Sequence, residues 1–148
     1  MRLVIGGDHR GRELCRSLKQ KLDNNVLLEV DYIERDGESL DYPDVAACVA
    51  FAVSNGTADF GVLICGTGIG MCIVANKFPG VRAAPCHSEL VAEFSRRFTD
   101  ANILCLPGDI LGERSSLLIV EKWLQTPFDA GRHEKRLEKI REIERRRI

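Results

Sequence analysis

The 148-residue chain is 45% hydrophobic and carries a formal net charge of −1, enough apolar material for one core and one domain. That charge balance offers no bulk attraction to nucleic acid or to an anionic membrane surface. No apolar run approaches the ~18 residues of a spanning helix, and the opening MRLVIGGDHRG lacks the length and cleavage site of a signal peptide, so a cytoplasmic protein is expected.

In chain order, RLVIG (2–6) reads as a first strand and RELCRSLKQKL (12–22) as an amphipathic helix with Leu14, Leu18 and Leu22 on one face. VLLEVDYI (26–33) is a second strand. A polar segment runs to Pro43, which suits the first turn of a helix over VAACVAFAV (45–53). FGVLI (60–64) has no polar alternation, as expected of a strand covered on both faces. MCIVANK (71–77) reads as helical and VRAAPC (81–86) as a fourth strand. A helix near 88–98 and the strand NILCL (102–106) follow, then RSSLLIVEKWL (114–124) as a further helix. The charged segment RHEKRLEKIREIERRRI (132–148) is a last helix bearing Leu137, Ile140 and Ile143. Strands alternating with helices at this spacing predict an α/β fold, with five parallel strands in a Rossmann-like sheet and helices on both sides.

The last helix carries basic and acidic residues interleaved, with Glu142 and Arg146 at i,i+4 spacing, which suits a solvated face rather than a nucleic-acid arm. Cys15, Cys48, Cys65, Cys72, Cys86 and Cys105 form no C-x-x-C pair, and buried free thiols are expected. His9, His87 and His133 lack metal-site spacing, so no metal is expected.

Ligands of an open parallel sheet bind beyond the carboxyl ends of its strands. Two glycine-rich turns lie there, GGDHRG (6–11) and CGTGIG (65–70). Neither is a nucleotide motif: Met71 stands where the dinucleotide fingerprint needs glycine, and GGDHRG is not followed by Lys-Ser/Thr. Cys65 ends a strand among bare backbone amides, where a thiolate is stabilised and an oxyanion can be held. A reactive thiol and a core cysteine are both open readings of it. Asp8 and His9 end strand one and would face the same crevice, although Asp8 also suits a helix cap.

The chain resembles the type B ribose-5-phosphate isomerases, a family that includes the galactose-6-phosphate isomerase subunits. The matching segments are GGDHRG (6–11), DYPD (41–44), GVLICGTGIGMCIVANKFPGVRAA (61–84), SRRFTDANIL (95–104) and GRHEKRLEKI (131–140). The resemblance implies a three-layer α/β/α sandwich and a homodimer, or a pair of such dimers, with the active site at the subunit interface. It implies cofactor-free interconversion of ribose 5-phosphate and ribulose 5-phosphate through a cis-enediol, a step of the pentose phosphate pathway. By position, Cys65 is similar to the family's base and Thr67 to the hydroxyl near the reacting oxygens. The amides around Gly66, Gly68 and Gly70 would hold the enediolate. Asp8 and Tyr42 match residues lining the sugar, Asn102 stands near it, and His9, Arg132 and Arg136 match phosphate-binding positions. Arg132 and Arg136 lie one helical turn apart and can grip one phosphate together.

Three positions depart from the family. SRRFTDAN has Phe98 where the family's histidine assists ring opening and Thr99 where asparagine is usual. PGDI has Asp109 where an arginine near the phosphate is common, and an aspartate there is repulsive. These departures leave a different sugar phosphate, such as a tetrose 4-phosphate or hexose 6-phosphate, and a non-catalytic binding protein as alternative readings.

Overall fold

In a computed structural model of the chain, residues 1–25, 29–33 and 41–146 are described. The start of the second predicted strand (26–28), most of the polar segment after it (34–40) and the last two residues (147–148) lie outside these.

Five parallel strands form one sheet: β1 (Arg2–Gly7), β2 (Glu29–Ile33), β3 (Phe60–Cys65), β4 (Ala83–Pro85) and β5 (Ile103–Pro107). Their spatial order is β2-β1-β3-β5-β4. Six helices accompany them: α1 (Arg12–Leu22), α2 (Tyr42–Ser54), α3 (Ile69–Ala75), α4 (Glu89–Thr99), α5 (Glu113–Gln125) and α6 (Arg132–Arg145). The predicted elements are all present. Boundaries shift at α2, which begins three residues earlier than its apolar run, at α3, which starts and stops two residues earlier, and at β4, which keeps three of the six residues predicted for it.

Alternate strand residues point to opposite faces, and the two faces bury two separate cores. Leu3, Ile5, Val62, Ile64, Leu104 and Leu106 meet α1, α4 and α5 on one side. Val4, Leu63, Cys65, Ile103 and Cys105 meet α2 and α3 on the other. The result is the expected three-layer α/β/α sandwich. All six cysteines are free, and Cys48, unlike the rest, is exposed.

The order β2-β1-β3 matters for function. The chain leaves β1 toward β2 on one side, and β3 then pairs with β1 on the other. This reversal opens a crevice beyond the carboxyl ends of β1 and β3, the usual binding place of doubly wound sheets. Both glycine-rich turns end at that crevice.

At the opposite edge of the sheet, Asp100 ends α4 in a left-handed conformation, with φ 46°. Its carboxylate meets Arg96 at 2.7 Å and Arg82 at 2.8 Å. These contacts fix the entry into β5. The last helix packs lightly: His133 and Leu137 are buried, whereas Ile140 and Ile143 are 46% and 54% exposed. Its charged face carries Arg141 paired with Glu134 and Glu138, each at 3.0 Å, and Arg145 paired with Glu138, the solvated pattern expected.

Candidate active site

Cys65 is the last residue of β3 and pairs in register with Pro107 of β5. Its side chain faces the α2/α3 layer and is 6% exposed. The turn that follows brings its own donor back: the N–H of Gly68 donates to Cys65 Sγ at 3.1 Å. Gly68 has φ 74°, a conformation that costs glycine little and other residues considerably more. Thr67 is exposed at the tip of this turn, and its Oγ1 accepts from the N–H of Ile69 at 3.3 Å.

The β1 turn stands beside it. The N–H of Asp8 donates to the carbonyl of Ile64 at 3.2 Å, so the two strand ends are joined directly. Asp8 is 6% exposed, and its Oδ1 accepts from the N–H groups of Arg10 and Gly11 at 2.9 and 3.1 Å. Asp8 thus ties the turn ahead of α1 and does not cap that helix, whose N-cap is Gly11 with no side-chain cap hydrogen bond. His9 follows it and is exposed. A methyl group on Gly11 would lie 2.3 Å from the carbonyl oxygen of Ile64, which measures how closely the two turns approach. Tyr42 opens α2 on the same side. Its ring lies against Gly70, where a Cβ would meet it at 2.7 Å.

The fold thus gathers Asp8, His9, Tyr42, Cys65, Gly66, Thr67, Gly68 and Gly70 at one end of the sheet. Asn102, Arg132 and Arg136 are not among them. Asn102 precedes β5, and its carbonyl accepts from Gly61 near the start of β3, four residues from Cys65 and so about 13 Å away along the strand. Its side chain is spent on the loop before β4, accepting from Arg82 N–H at 2.7 Å and donating to the Gly80 carbonyl at 2.9 Å.

The arginine pair belongs to that same far end. Arg132 Nε donates to His133 Nε2 and Arg136 NH1 meets His133 Nδ1, both at 3.5 Å. His133 is buried, and its ring stacks on Phe98 with centroids 5.0 Å apart. Phe98 stacks in turn on Phe94, also at 5.0 Å, and Arg97 lies over its ring. Position 98 is therefore part of an aromatic stack at the end of α4 that carries the arginine pair.

Sequence reasoning missed Arg10 and took Asp109 without this partner. They form an ion pair across the mouth of the crevice. The two residues are 99 positions apart, and the β1-β3-β5 strand order is what brings their turns together. An arginine next to the Asp8–His9 pair, set against an aspartate in an arginine's usual place, was the available signal.

Several thiols are tuned by their surroundings. Cys105 donates to the sulfur of Cys72, which holds the Cys72 thiol below its ordinary range and pushes that of Cys105 well up, with burial adding to the latter. Burial raises Cys86 to about 11 and raises Cys15 further, the charge of Asp8 contributing to Cys15. Among the described residues, no His, Cys, Asp and Glu cluster suits a metal ion, and no helix is long and apolar enough to cross a membrane.

A groove of about 570 Å³ lies away from the cysteine turn, between the β4 segment and α6, with Val81, Ala83, Pro85, Ile140 and Ile143 among its walls. Its polar lining comes from Asn76, Lys77, Arg82, Thr99 and Glu144. Cys65, Asp8 and His9 stand at the crevice instead.

Comparison with known proteins follows this geometry. The model of the ribose/galactose isomerase family matches residues 3–140. Ribose-5-phosphate isomerase B of Escherichia coli (strain K12) is 38% identical over 146 residues, covering 99% of this chain and 98% of that protein. A D-erythrulose-4-phosphate isomerase of Pectobacterium atrosepticum is 37% identical over 139 residues, 93% of this chain and 91% of its own. The solved structure of Clostridium thermocellum ribose-5-phosphate isomerase B superposes with a TM-score of 0.95 at 44% identity, over 100% of both chains. With the β1/β3 crevice, the cysteine turn and full-length similarity in agreement, this chain belongs to the ribose/galactose isomerase family.

Proposed function

We propose that the protein is an aldose–ketose isomerase that interconverts ribose 5-phosphate and ribulose 5-phosphate, working as one sugar-phosphate isomerase domain. The observation that carries this reading is the placement of Cys65 at the β1/β3 switch point, with a backbone donor on its sulfur.

A C2 hydrogen beside an aldehyde is only mildly acidic, so its removal needs a base and donors aimed at the oxygen that gains charge. In the proposed mechanism the Cys65 thiolate takes the C2 proton of the open-chain aldose. The C2–H electrons form the C1=C2 bond of a cis-enediolate while the carbonyl electrons move onto O1. Thr67 and the amides of the turn at Gly66 and Gly70 donate to that oxygen, while the Gly68 amide stays on the sulfur. The C1=C2 electrons then take the thiol's proton at C1, the O2 hydroxyl proton passes to O1 through the Thr67 hydroxyl, and the electrons left on O2 form the ketose carbonyl. No atom is gained or lost. Asp8 and Tyr42 border the sugar, and His9 lies on the phosphate side.

The reading also requires a second copy. Arg132, Arg136 and Phe98 stand at the end of the sheet away from Cys65, so a homodimer that sets one chain's cysteine turn against the other's arginine pair supplies both halves of a site. Apolar exposure supports such an assembly. Ile69 and Ile73 of α3 are each 57% exposed at i,i+4 spacing beside the cysteine turn, and β4 is an unpaired sheet edge next to exposed Ile140 and Ile143. We place the enzyme in the cytoplasm.

A second substrate reading has its own observation. Phe98 is committed to a stack on His133 and Phe94 and cannot exchange a proton with a ring oxygen. A tetrose 4-phosphate carries phosphate on O4 and cannot close a furanose, so it needs no help in opening. A relative named D-erythrulose-4-phosphate isomerase makes that sugar class a natural comparison. The deciding experiment is a coupled assay of the purified protein against pentose 5-, tetrose 4- and hexose 6-phosphates. Highest kcat/KM on ribose 5-phosphate is expected; turnover of none of them would overturn the isomerase reading.

A further inference from the structure

The side chains of Arg10 and Asp109 meet directly over Gly66. NH1 of Arg10 donates to Oδ2 of Asp109. A methyl group on Gly66 would lie 2.8 Å from that carboxylate oxygen and 3.1 Å from NH1. The pair therefore forms a wall of the crevice within contact distance of the cysteine turn.

Both partners are set on fastened backbone. The N–H of Gly108 donates to the carbonyl of Cys65 at 2.8 Å, and that of Asp109 to the carbonyl of Gly66 at 3.1 Å. On the other side, Asp8 Oδ1 accepts from the N–H groups of Arg10 and Gly11. The side chains are 57% and 43% exposed, and ion pairs at such exposure add little to stability. Stability is thus a poor reason for the pair, whereas position is a good one. A guanidinium offers five donors in a planar fork. Among the described residues, the side chain of Arg10 meets one partner, Asp109 at NH1, so its other donors are free for a ligand in the crevice.

We propose that Arg10 is a substrate-binding residue that donates to the phosphate group of the sugar phosphate, and that Asp109 is the positioning residue that holds it over Gly66. This rests on the isomerase reading of the Cys65 turn. It also answers the objection raised by Asp109 in the sequence: its charge is met by Arg10, so the wall presents a guanidinium and not a bare carboxylate to the incoming dianion. Arginine at this distance suits a phosphate because two N–H groups can engage two oxygens at once.

The test compares wild type, Arg10→Ala, Arg10→Lys, Asp109→Asn and the Arg10→Ala/Asp109→Asn double variant. Each is checked for fold by circular dichroism. Each is then measured for KM and kcat with ribose 5-phosphate and, by calorimetry, for binding of inorganic phosphate. Arg10→Ala should raise KM and the phosphate Kd by at least about tenfold, the worth of one charge-assisted hydrogen bond. Its kcat should stay within about threefold, the signature of a lost binding contact. Arg10→Lys should recover part of the loss. Asp109→Asn should raise KM while Arg10 is present and leave it unchanged in the Arg10→Ala background, because it acts through that side chain. Unchanged KM and phosphate Kd in Arg10→Ala would overturn the proposal. Tighter phosphate binding by Asp109→Asn would overturn the positioning role, since Asp109 would then oppose the anion. A protein that isomerises no sugar phosphate yet loses phosphate on Arg10→Ala would sink the isomerase reading and leave the anion contact standing.

Discussion

The backbone N–H of Gly68 points at the sulfur of Cys65 from 3.1 Å, and it reaches there because Gly68 adopts φ 74°. A turn built this way places a fixed dipole beside the sulfur without the aid of a second side chain. Little reorganisation is then needed when charge appears on that atom, and such preorganised donors dominate many catalytic effects.

Replacing Cys65 by alanine is therefore expected to lower kcat at least ~10²-fold, the lower end of what a positioned acid/base group contributes. Thermal unfolding should stay close to wild type, because the change removes one sulfur atom from the edge of the α2/α3 core. Cys72→Ala, in α3 beyond the turn, should keep most activity. Near-normal turnover in Cys65→Ala would remove the thiol from the mechanism.

Mixing chains tests the division of the site. A Cys65→Ala chain and an Arg132→Ala/Arg136→Ala chain should each be nearly inactive alone. Hybrids of the two retain one intact crevice and should regain activity. Native mass spectrometry establishes that hybrids have formed; absence of recovery in their presence would favour a site contained in one chain.

Phe98→His examines ring opening. Histidine can remain in the stack on His133 while adding a group that exchanges protons. We expect kcat/KM to rise for ribose 5-phosphate and to change little for erythrose 4-phosphate. Equal effects on the two sugars, or none on the pentose, would show that opening does not limit turnover.

Thiol chemistry should vary with pH in a defined direction. Cys86, raised to about 11 from an ordinary value of 9.0, stays protonated in the folded state after its unfolded counterpart has ionised. The stability it contributes is present below pH 9 and is lost as pH rises toward 11. Cys15 and Cys105 shift in the same direction. The melting temperature should accordingly fall over that window. In native protein, iodoacetamide should spare Cys15, Cys86 and Cys105 and should label Cys72 at a lower pH than an ordinary thiol requires, because Cys105 donates to its sulfur. Peptide mapping distinguishes the sites, and prompt labelling of Cys15 at neutral pH would contradict the burial argument.

Much of this architecture was legible in the chain. Period and punctuation located α1 at its observed bounds and placed β3 and β5 within a residue, because buried parallel strands are uninterrupted apolar runs. The cysteine turn stood out since three glycines after a strand end have few other uses. What sequence spacing hid was which end of the sheet each group occupies. Asn102 follows the helix α4 and precedes β5, so chain direction alone puts it opposite Cys65, yet motif matching had grouped the two. Phe98 read as the loss of a proton donor, and its stack on His133 became visible once α4 and α6 were packed together. Arg10 was passed over because its partner lies two strands away.

The short span of the strands carries a last consequence. Asn102 marks one end of the sheet and Cys65 the other, and the arginine pair lies with the former. On the proposed assembly a solitary chain has no complete crevice, so specific activity becomes a function of protein concentration. It should decline as solutions are diluted through the dimer's dissociation constant. The rate of sugar turnover, followed against dilution, then serves as a direct gauge of how tightly two chains associate.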